Sequence, residues 1–131
     1  MCLISDTPIP SIAEEDIICY KCFGACYIGP GYTMLTTPYI KAPVCFKQLP
    51  YLFIARGDKR VVYRPSIFRP SDRIYEISKG FIHAYRNANF NAGSINYKIY
   101  VCKIPKGSKY YVSRNEICAD RLIILRDYET S

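Results

Sequence analysis

The strongest constraint on this chain is the alternation of polar with apolar or aromatic side chains in short segments that Pro and Gly interrupt. In the clearest segment, residues 96–104 (NYKIYVCKI), the odd-numbered and even-numbered side chains fall on opposite faces of an extended chain. Nine Pro and seven Gly residues are distributed along the 131-residue chain and keep most such segments short. The expected architecture is therefore built mainly from short strands.

Other segments rich in β-branched and aromatic residues predict further strands. The first begins at Asp16 and is expected to end at Gly24, and the remaining ones lie near residues 32–35, 44–47, 51–55, 59–64, 79–85, 109–113 and 121–125. Residues 24–50 contain so many Pro and Gly that, apart from two short strands, they are expected to form a long loop over the sheet. Gly57 and Asp58 indicate a hairpin between the fourth and fifth of these strands.

One or two short helices complete the expected α+β fold, a mainly antiparallel or mixed sheet of about seven short strands. Ser11 and Glu14 have capping-box spacing, which predicts a helical turn over residues 12–15. Residues 86–92 (RNANFNA) are expected to form a second helix that Gly93 ends. We expect one domain over residues 1–131, with an N-terminal arm or short helix at 1–15 and a core at 16–131.

The chain contains no run of about 18 apolar residues, so no contact with the membrane interior is expected. Its N-terminus, MCLISDTPIP, lacks the basic region and long apolar region of a secretory signal. A cytoplasmic location is therefore expected, and with it a reducing environment.

The seven cysteines raise the question of a zinc site, because Cys19, Cys22 and Cys26 lie close together, with Cys45 or the one histidine, His83, as a fourth ligand. A strand through this segment would place Cys19 and Cys22 on opposite faces. We therefore expect reduced thiols and no metal or other cofactor, and zinc is kept as the alternative.

Positive charge is concentrated in the later part of the chain. Residues 1–50 have a net charge of −1 and residues 51–131 a net charge of +8, which favours anionic partners. Within residues 55–73, basic side chains alternate with Tyr63 and Phe68. Guanidinium groups bind phosphate, and aromatic rings stack on bases. The alternative is a solvated strand and loop whose arginines pair with surface acids.

Two further motifs contribute candidate ligand-binding residues. Residues 103–111 (KIPKGSKYY) contain Lys106 next to a glycine, although a Pro-Lys-Gly element is more often a simple turn. In residues 79–85 (KGFIHAY), strand alternation would place Phe81, His83 and Tyr85 on one face. The predicted binding residues are Arg56, Arg64, Phe81, His83, Tyr85, Lys106 and Arg114.

The order of the motifs DIICYK, TTPY, KGFIHAYRNANFNA and CKIPKGSKYYVSRNE resembles small domains from gut bacteria and their phages. More distantly it resembles the ADP-ribosyltransferase fold. In that resemblance, Tyr20 and Lys21 stand where a Tyr-Arg pair is expected, and Gly80 and Phe81 begin the second motif. Residues 82–84 replace its Ser-Thr-Ser, residues 105–107 match a Pro-Lys-Gly turn, and Glu116 stands near the catalytic glutamate.

The missing Arg and Ser-Thr-Ser remove the groups that hold NAD in that family, so the resemblance implies binding without turnover. We therefore expect an anionic nucleotide as ligand. A phage protein that sequesters a host immune nucleotide signal is the role that the resemblance implies. An ADP-ribosyltransferase-like enzyme that uses Glu116 on NAD is one alternative, and a nucleic-acid-binding protein is another. The sequence leaves homo-oligomers open.

Overall fold

The computed structural model describes residues 3–36, 44–55, 61–63, 75–77, 81–88 and 97–128. Within these ranges the chain forms thirteen strands and no α-helix. In chain order the strands are β1 (Leu3–Ser5), β2 (Ser11–Ile12), β3 (Ile17–Gly29), β4 (Tyr32–Thr36), β5 (Val44–Phe46), β6 (Tyr51–Ile54), β7 (Val61–Tyr63), β8 (Tyr75–Ile77), β9 (Ile82–Tyr85), β10 (Tyr97–Ile104), β11 (Lys109–Ser113), β12 (Glu116–Ala119) and β13 (Arg121–Asp127). No helix in the described part of the chain is long and apolar enough to cross a membrane.

The strands form two sheets in which every pairing between described residues is antiparallel. The large sheet has the order β2-β11-β12-β9-β3-β10-β13-β6, and β4 and β5 extend it from the end of β3. The small sheet has the order β1-β8-β7. Antiparallel pairing agrees with the short connections between many of these strands.

The large sheet is strongly curled, because Asp120 alone separates β12 from β13 although three strands lie between them in the sheet order. The Asp120 N–H donates to the Lys109 carbonyl at 3.1 Å, and the Asp120 carbonyl accepts from the Ala55 N–H at 2.9 Å. Lys109 belongs to β11, and Ala55 follows β6. Opposite ends of the sheet therefore meet at this one residue.

One face of the curled sheet, the core face, carries the main hydrophobic cluster. Its fully buried members include Cys19 and Phe23 of β3, Cys102 of β10 and Ile124 of β13. The burial of β9 and β13 alternates along each strand, as expected when a single face of a strand points into a core. The sequence period of two therefore selects which side chains are enclosed.

The small sheet packs on the opposite face of the large sheet, which we call the outer face. Leu3 of β1 and Ile77 of β8 are fully buried against Tyr111 and Cys118. The Phe81 ring meets the Tyr111 ring edge to face, with centroids 5.5 Å apart. Leu3 is therefore a core residue, and the segment expected to be an N-terminal arm contributes a strand to the small sheet.

The strands predicted near residues 32–35, 44–47, 51–55, 96–104, 109–113 and 121–125 are confirmed. The predicted end of the first strand at Gly24 is wrong, because β3 continues to Gly29 and pairs with β4. Instead of a long loop over the sheet, the end of β3 together with β4 and β5 extends it. Short antiparallel strands dominate as expected, but the described part of the chain contains thirteen rather than about seven.

The predicted helical turn over residues 12–15 is wrong. Ser11 and Ile12 form β2 and pair with Tyr110 and Lys109 of β11, while the Ala13 N–H donates to the Ser108 carbonyl at 2.9 Å. These interactions with distant residues override the local capping signal. Of the second predicted helix, residues 86–88 form a bend, and residues 89–92 lie outside the described residues.

Gly57 and Asp58 lie outside the described residues, but the two strands that flank them do not pair with each other as the predicted hairpin requires. β6 pairs with β13 in the large sheet, whereas β7 pairs with β8 in the small sheet. The strands were correctly recognised as strands, but their partners lie far away in the sequence. A turn signal of two residues does not specify such partners.

We predict that Asp120→Ala lowers the free energy of unfolding by about 1–2 kcal/mol, because the N–H of Lys109 loses its acceptor in a part-buried hydrogen bond. The Asp120 Oδ1 atom accepts from the Lys109 N–H at 3.2 Å. Asp120→Asn is the matched control, since it keeps an oxygen acceptor at this position. Urea unfolding of the three proteins measures the difference, and equal losses in both variants would contradict the role of this hydrogen bond.

Candidate functional site

The outer face carries a row of polar and aromatic side chains that crosses four neighbouring strands. Ser113 lies opposite Glu116, Glu116 opposite Tyr85, and Tyr85 opposite Tyr20. Residues directly opposite each other in antiparallel strands have neighbouring side chains on the same face. The Tyr20 ring also meets the Tyr128 ring edge to face, with centroids 5.7 Å apart. Two tyrosines and a carboxylate are therefore neighbours, although they are far apart in the sequence.

At one end of this row, the two-residue turn between β11 and β12 brings two arginines together. The Arg86 N–H donates to the Asn115 carbonyl at 2.7 Å, and the Arg86 Nη1 atom donates to the Arg114 carbonyl at 3.0 Å. Both arginines are exposed. Neither forms an ion pair with a carboxylate among the described residues. Two hydrogen bonds to main-chain carbonyls thus hold Arg86 at the turn that contains Arg114.

This turn contains two locally unfavourable features. Arg114 has φ of 53°, in the left-handed region that side chains other than Gly seldom adopt. The Asn115 Oδ1 atom is buried and has no hydrogen-bond partner within the described part of the chain, and such an atom typically costs about 1–3 kcal/mol. Unfavourable local geometry that a fold retains is concentrated at functional sites more often than elsewhere.

We call this group of residues the hairpin-end cluster. It consists of Tyr20, Tyr85, Arg86, Arg114, Asn115 and Glu116. It combines aromatic faces, guanidinium donors and oxygen acceptors. These are the groups that can bind the base, phosphate and hydroxyl parts of a nucleotide.

Three of the residues predicted from sequence lie on β9 or just before it. His83 lies opposite Cys118, which is opposite Tyr111, and Phe81 packs on Tyr111. His83 therefore shares the outer face with Phe81 and with Tyr85, as expected. Phe81, however, packs against the hydrophobic side chains beneath the small sheet, which include Leu3 and Ile77. Of the three residues, only Tyr85 belongs to the hairpin-end cluster.

Lys106 and Arg114 lie at opposite ends of β11, which at about 3.3 Å per residue separates them by more than 15 Å. The structure therefore brings Arg114 to the cluster but not Lys106. Lys106 lies in a turn that two hydrogen bonds attach to the segment before β3. The Lys106 N–H donates to the Asp16 Oδ1 atom at 2.9 Å, and the Gly107 N–H donates to the Ala13 carbonyl at 2.8 Å. The Lys106 N–H and then the Lys103 side chain lower the pKa of Asp16.

Arg56 and Arg64 lie outside the described residues. Sequence reasoning missed the contribution of Arg86 and the strand β12 that carries Glu116. The available signal was Asn115, a common turn residue, between two short alternating segments. Recognition of that hairpin would have placed Arg114 in its turn, but the position of Arg86 beside the turn depends on the pairing of β9 with β12.

Lys21 lies on the core face and is only 9% exposed. The Lys21 Nζ atom donates to the His83 carbonyl at 2.5 Å and lies 5.5 Å from the centroid of the Phe23 ring. Among the described residues, β3 and β9 pair only where Tyr20 faces Tyr85, so the His83 carbonyl receives a side-chain donor close to where the two strands separate. Burial lowers the pKa of Lys21 to about 8.

Lys21 and Tyr20 therefore point to opposite faces of the sheet. Tyr20 belongs to the hairpin-end cluster, whereas the Lys21 amine is enclosed beneath it. The lysine that stands in place of the expected Arg is thus on the face opposite to Tyr20 and Tyr85.

The described cysteines do not form a reactive or metal-binding group. Cys19 is buried on the core face, and Cys22 is partly buried on the other face, as the alternation predicts. Burial raises the pKa of Cys19 and of Cys118 to about 12, so these thiols are protonated at neutral pH. No group of three or more His, Cys, Asp or Glu residues within the described ranges is arranged to hold a metal ion.

Comparison of the chain with models of protein families, with curated proteins and with solved structures finds no match.

We predict that the stability of the native protein relative to Lys21→Met rises by about 1 kcal/mol between about pH 7 and about pH 9. The folded pKa of Lys21 is about 8, against 10.5 for an ordinary lysine. Protonation of Lys21 therefore costs folding free energy below about pH 8, and the cost disappears as the pH rises toward 10.5. Urea unfolding of both proteins at each pH measures the change.

The buried thiols act in the opposite direction, because their raised pKa values make folding less favourable once unfolded thiols ionise. They are present in both proteins and largely cancel in the comparison. An identical pH dependence in the two proteins would show that Lys21 is not the titrating group.

A second prediction concerns the turn. Replacement of Arg114 by Gly should raise the free energy of unfolding by about 1 kcal/mol, because Gly adopts φ of 53° without steric conflict. Arg114→Ala retains the Cβ atom and is not expected to stabilise the protein. Thermal or urea unfolding of the three proteins tests this, and a Gly variant no more stable than the Ala variant would exclude strain at this position.

Proposed function

We propose that this protein binds an anionic nucleotide at the hairpin-end cluster and releases it unaltered. The observation that carries the proposal is the pair Arg86 and Arg114 at one turn, where the Arg86 main-chain N–H donates to the Asn115 carbonyl at 2.7 Å and the Arg86 Nη1 atom donates to the Arg114 carbonyl at 3.0 Å. Like charges repel, and neither arginine has a carboxylate partner among the described residues. A bound phosphate would offset this repulsion and accept hydrogen bonds from both guanidinium groups.

The neighbouring side chains suit the other parts of a nucleotide. Tyr85 and Tyr20 offer partly exposed rings on which a base can stack. Glu116 lies opposite Tyr85, and its carboxylate can accept hydrogen bonds from ribose hydroxyls. The Asn115 Oδ1 atom is a further acceptor without a partner among the described residues.

The chemistry of the cluster supports binding without turnover. Glu116 is its only carboxylate, its only hydroxyl groups are those of the two tyrosines, and the one further hydroxyl in the row on the outer face is that of Ser113, opposite Glu116. The fully buried Cys19 and Cys118 have pKa values of about 12 and lack the thiolate that nucleophilic attack requires. The enclosed Lys21 amine is bonded to the His83 carbonyl.

The first experiment identifies the ligand. The protein is incubated with a mixed nucleotide pool that includes cyclic dinucleotides, cyclic trinucleotides and ADP-ribose derivatives, and the complex is weighed by native mass spectrometry. Retention of a cyclic di- or trinucleotide would agree with sequestration of an immune signal. Tighter binding of oligonucleotides, with affinity that falls steeply with salt, would favour the nucleic-acid alternative instead.

We predict that Arg86→Gln and Arg114→Gln each weaken binding of that nucleotide by about 10- to 100-fold, as expected for loss of a charge-assisted hydrogen bond. Lys106→Gln is the matched control, because it removes the same charge from an exposed side chain at the other end of β11. Isothermal titration calorimetry measures the three affinities. An equal loss in the control would indicate a general charge effect rather than a site at the turn.

The fate of the ligand is tested by denaturing the complex after incubation and separating the released molecule by chromatography. Intact nucleotide is the expected result. Cleaved product or free nicotinamide that Glu116→Gln abolishes would contradict binding without turnover and favour the enzyme.

A further inference from the structure

Strand β6 is the terminal strand of the large sheet, and it carries exposed apolar side chains. Leu52 is 48% and Ile54 56% exposed, and Leu52 lies opposite Ile123 of β13. Among the described residues, β6 pairs only with β13. An exposed apolar strand of this kind is a template for pairing with another strand.

The opposite end of the sheet is protected from such pairing. β2 has only two residues, follows Pro10 and precedes the exposed residues Glu14 and Glu15. Short length, proline and charge are the usual means by which edge strands avoid association. Residues 48–55, in contrast, contain no charged side chain although the whole chain has a net charge of +7. A second, equally charged copy meets the least local repulsion at β6.

The hydrogen bonds at the end of β6 determine which main-chain groups face outward. The Ala55 N–H donates to the Asp120 carbonyl, on the β13 side. Main-chain groups point alternately to the two sides along a strand, so Phe53 and Tyr51 also bond toward β13. The N–H and C=O groups of Leu52 and Ile54 therefore point to the outer edge. The residues with exposed apolar side chains are also those with outward main-chain groups.

We propose that two copies of this chain associate through antiparallel pairing of their β6 strands about a two-fold axis at Phe53. Leu52 then lies opposite Ile54 of the partner subunit, and each such pair exchanges both of its main-chain hydrogen bonds. The apolar side chains of Leu52 and Ile54 meet on the outer face. The pairing joins the two large sheets into one.

Other registers are less favourable. A shift by one residue would place Leu52 opposite a core-face side chain of the other copy and would break the continuity of both faces. A two-fold axis at Leu52 would place Pro50, which has no N–H, opposite Ile54. The axis at Phe53 pairs the outward main-chain groups of Leu52 and Ile54 with one another and needs no residue outside β6.

Analytical ultracentrifugation from about 1 μM to about 1 mM, a range that covers weak to moderately stable pairs, tests the association. We expect the mass to rise from that of one chain to that of two, and to do so at lower concentration when salt screens the net charge of +7. A mass of one chain throughout, or continued growth beyond two chains, would overturn the proposal.

Two variants separate main-chain pairing from apolar contact. Ile54→Pro removes an outward N–H without removing a bond to β13, and Leu52→Lys places a charge at the interface. Each should abolish the dimer over this concentration range, with far-UV circular dichroism as the check on folding. Ile9→Lys is the control, because Ile9 is 72% exposed but lies outside the strands. If it abolishes the dimer as well, the interface is not β6.

Amide hydrogen exchange reads the register directly in the unmodified protein. Dilute protein should protect the Tyr51 and Phe53 amides but not those of Leu52 and Ile54. Concentrated protein should protect all of them. Protection of Leu52 and Ile54 that is independent of concentration, or that never develops, would contradict pairing of β6 with a second copy.

Discussion

The junction at Asp120 is the constraint on which the shape of the large sheet depends. One residue connects two strands that lie on opposite sides of β9, β3 and β10, so the sheet has to curl until they meet. Main-chain hydrogen bonds from Asp120 to Lys109 and from Ala55 to Asp120 hold β11 and the end of β6 at the same point. The curl gives the sheet an enclosed core face and an outer face that carries the small sheet and the hairpin-end cluster.

The two faces give neighbouring residues of β3 opposite roles. Tyr20 stands on the outer face with Tyr85, whereas Lys21 is enclosed and donates to the His83 carbonyl. An amine in this position carries a cost of burial, which is the reason that its pKa falls to about 8. The hydrogen bond from the Lys21 amine offsets part of this burial cost, because it supplies a donor to the His83 carbonyl of β9 near the point where β3 and β9 diverge. The core thus supports the strand that carries Tyr85.

The two proposals use different properties of the outer part of the sheet. At the turn between β11 and β12, hydrogen bonds from Arg86 to main-chain carbonyls hold it beside Arg114, and a bound anion would reduce the repulsion between the two arginines. At β6, main-chain groups that have no strand partner among the described residues coincide with exposed apolar side chains on Leu52 and Ile54. Electrostatics therefore favours a small anionic ligand at the turn, and the uncharged strand favours a second copy of the chain.

The sequence by itself determined where most of the strands lie and which side chains share a face. Residues 97–104 and 109–113 alternate so regularly that no helix would bury one face of them, and the same period correctly separated Cys19 from Cys22. Only the tertiary structure decided which strands pair. The pairing of β6 with β13 and of β2 with β11 joins residues about 70 to 100 positions apart, a distance over which local propensity carries no information. The tertiary structure therefore decided that strand pairing overrides the capping signal at Ser11 and that Arg86 stands beside Arg114. It also decided that the length of a strand separates Lys106 from both arginines.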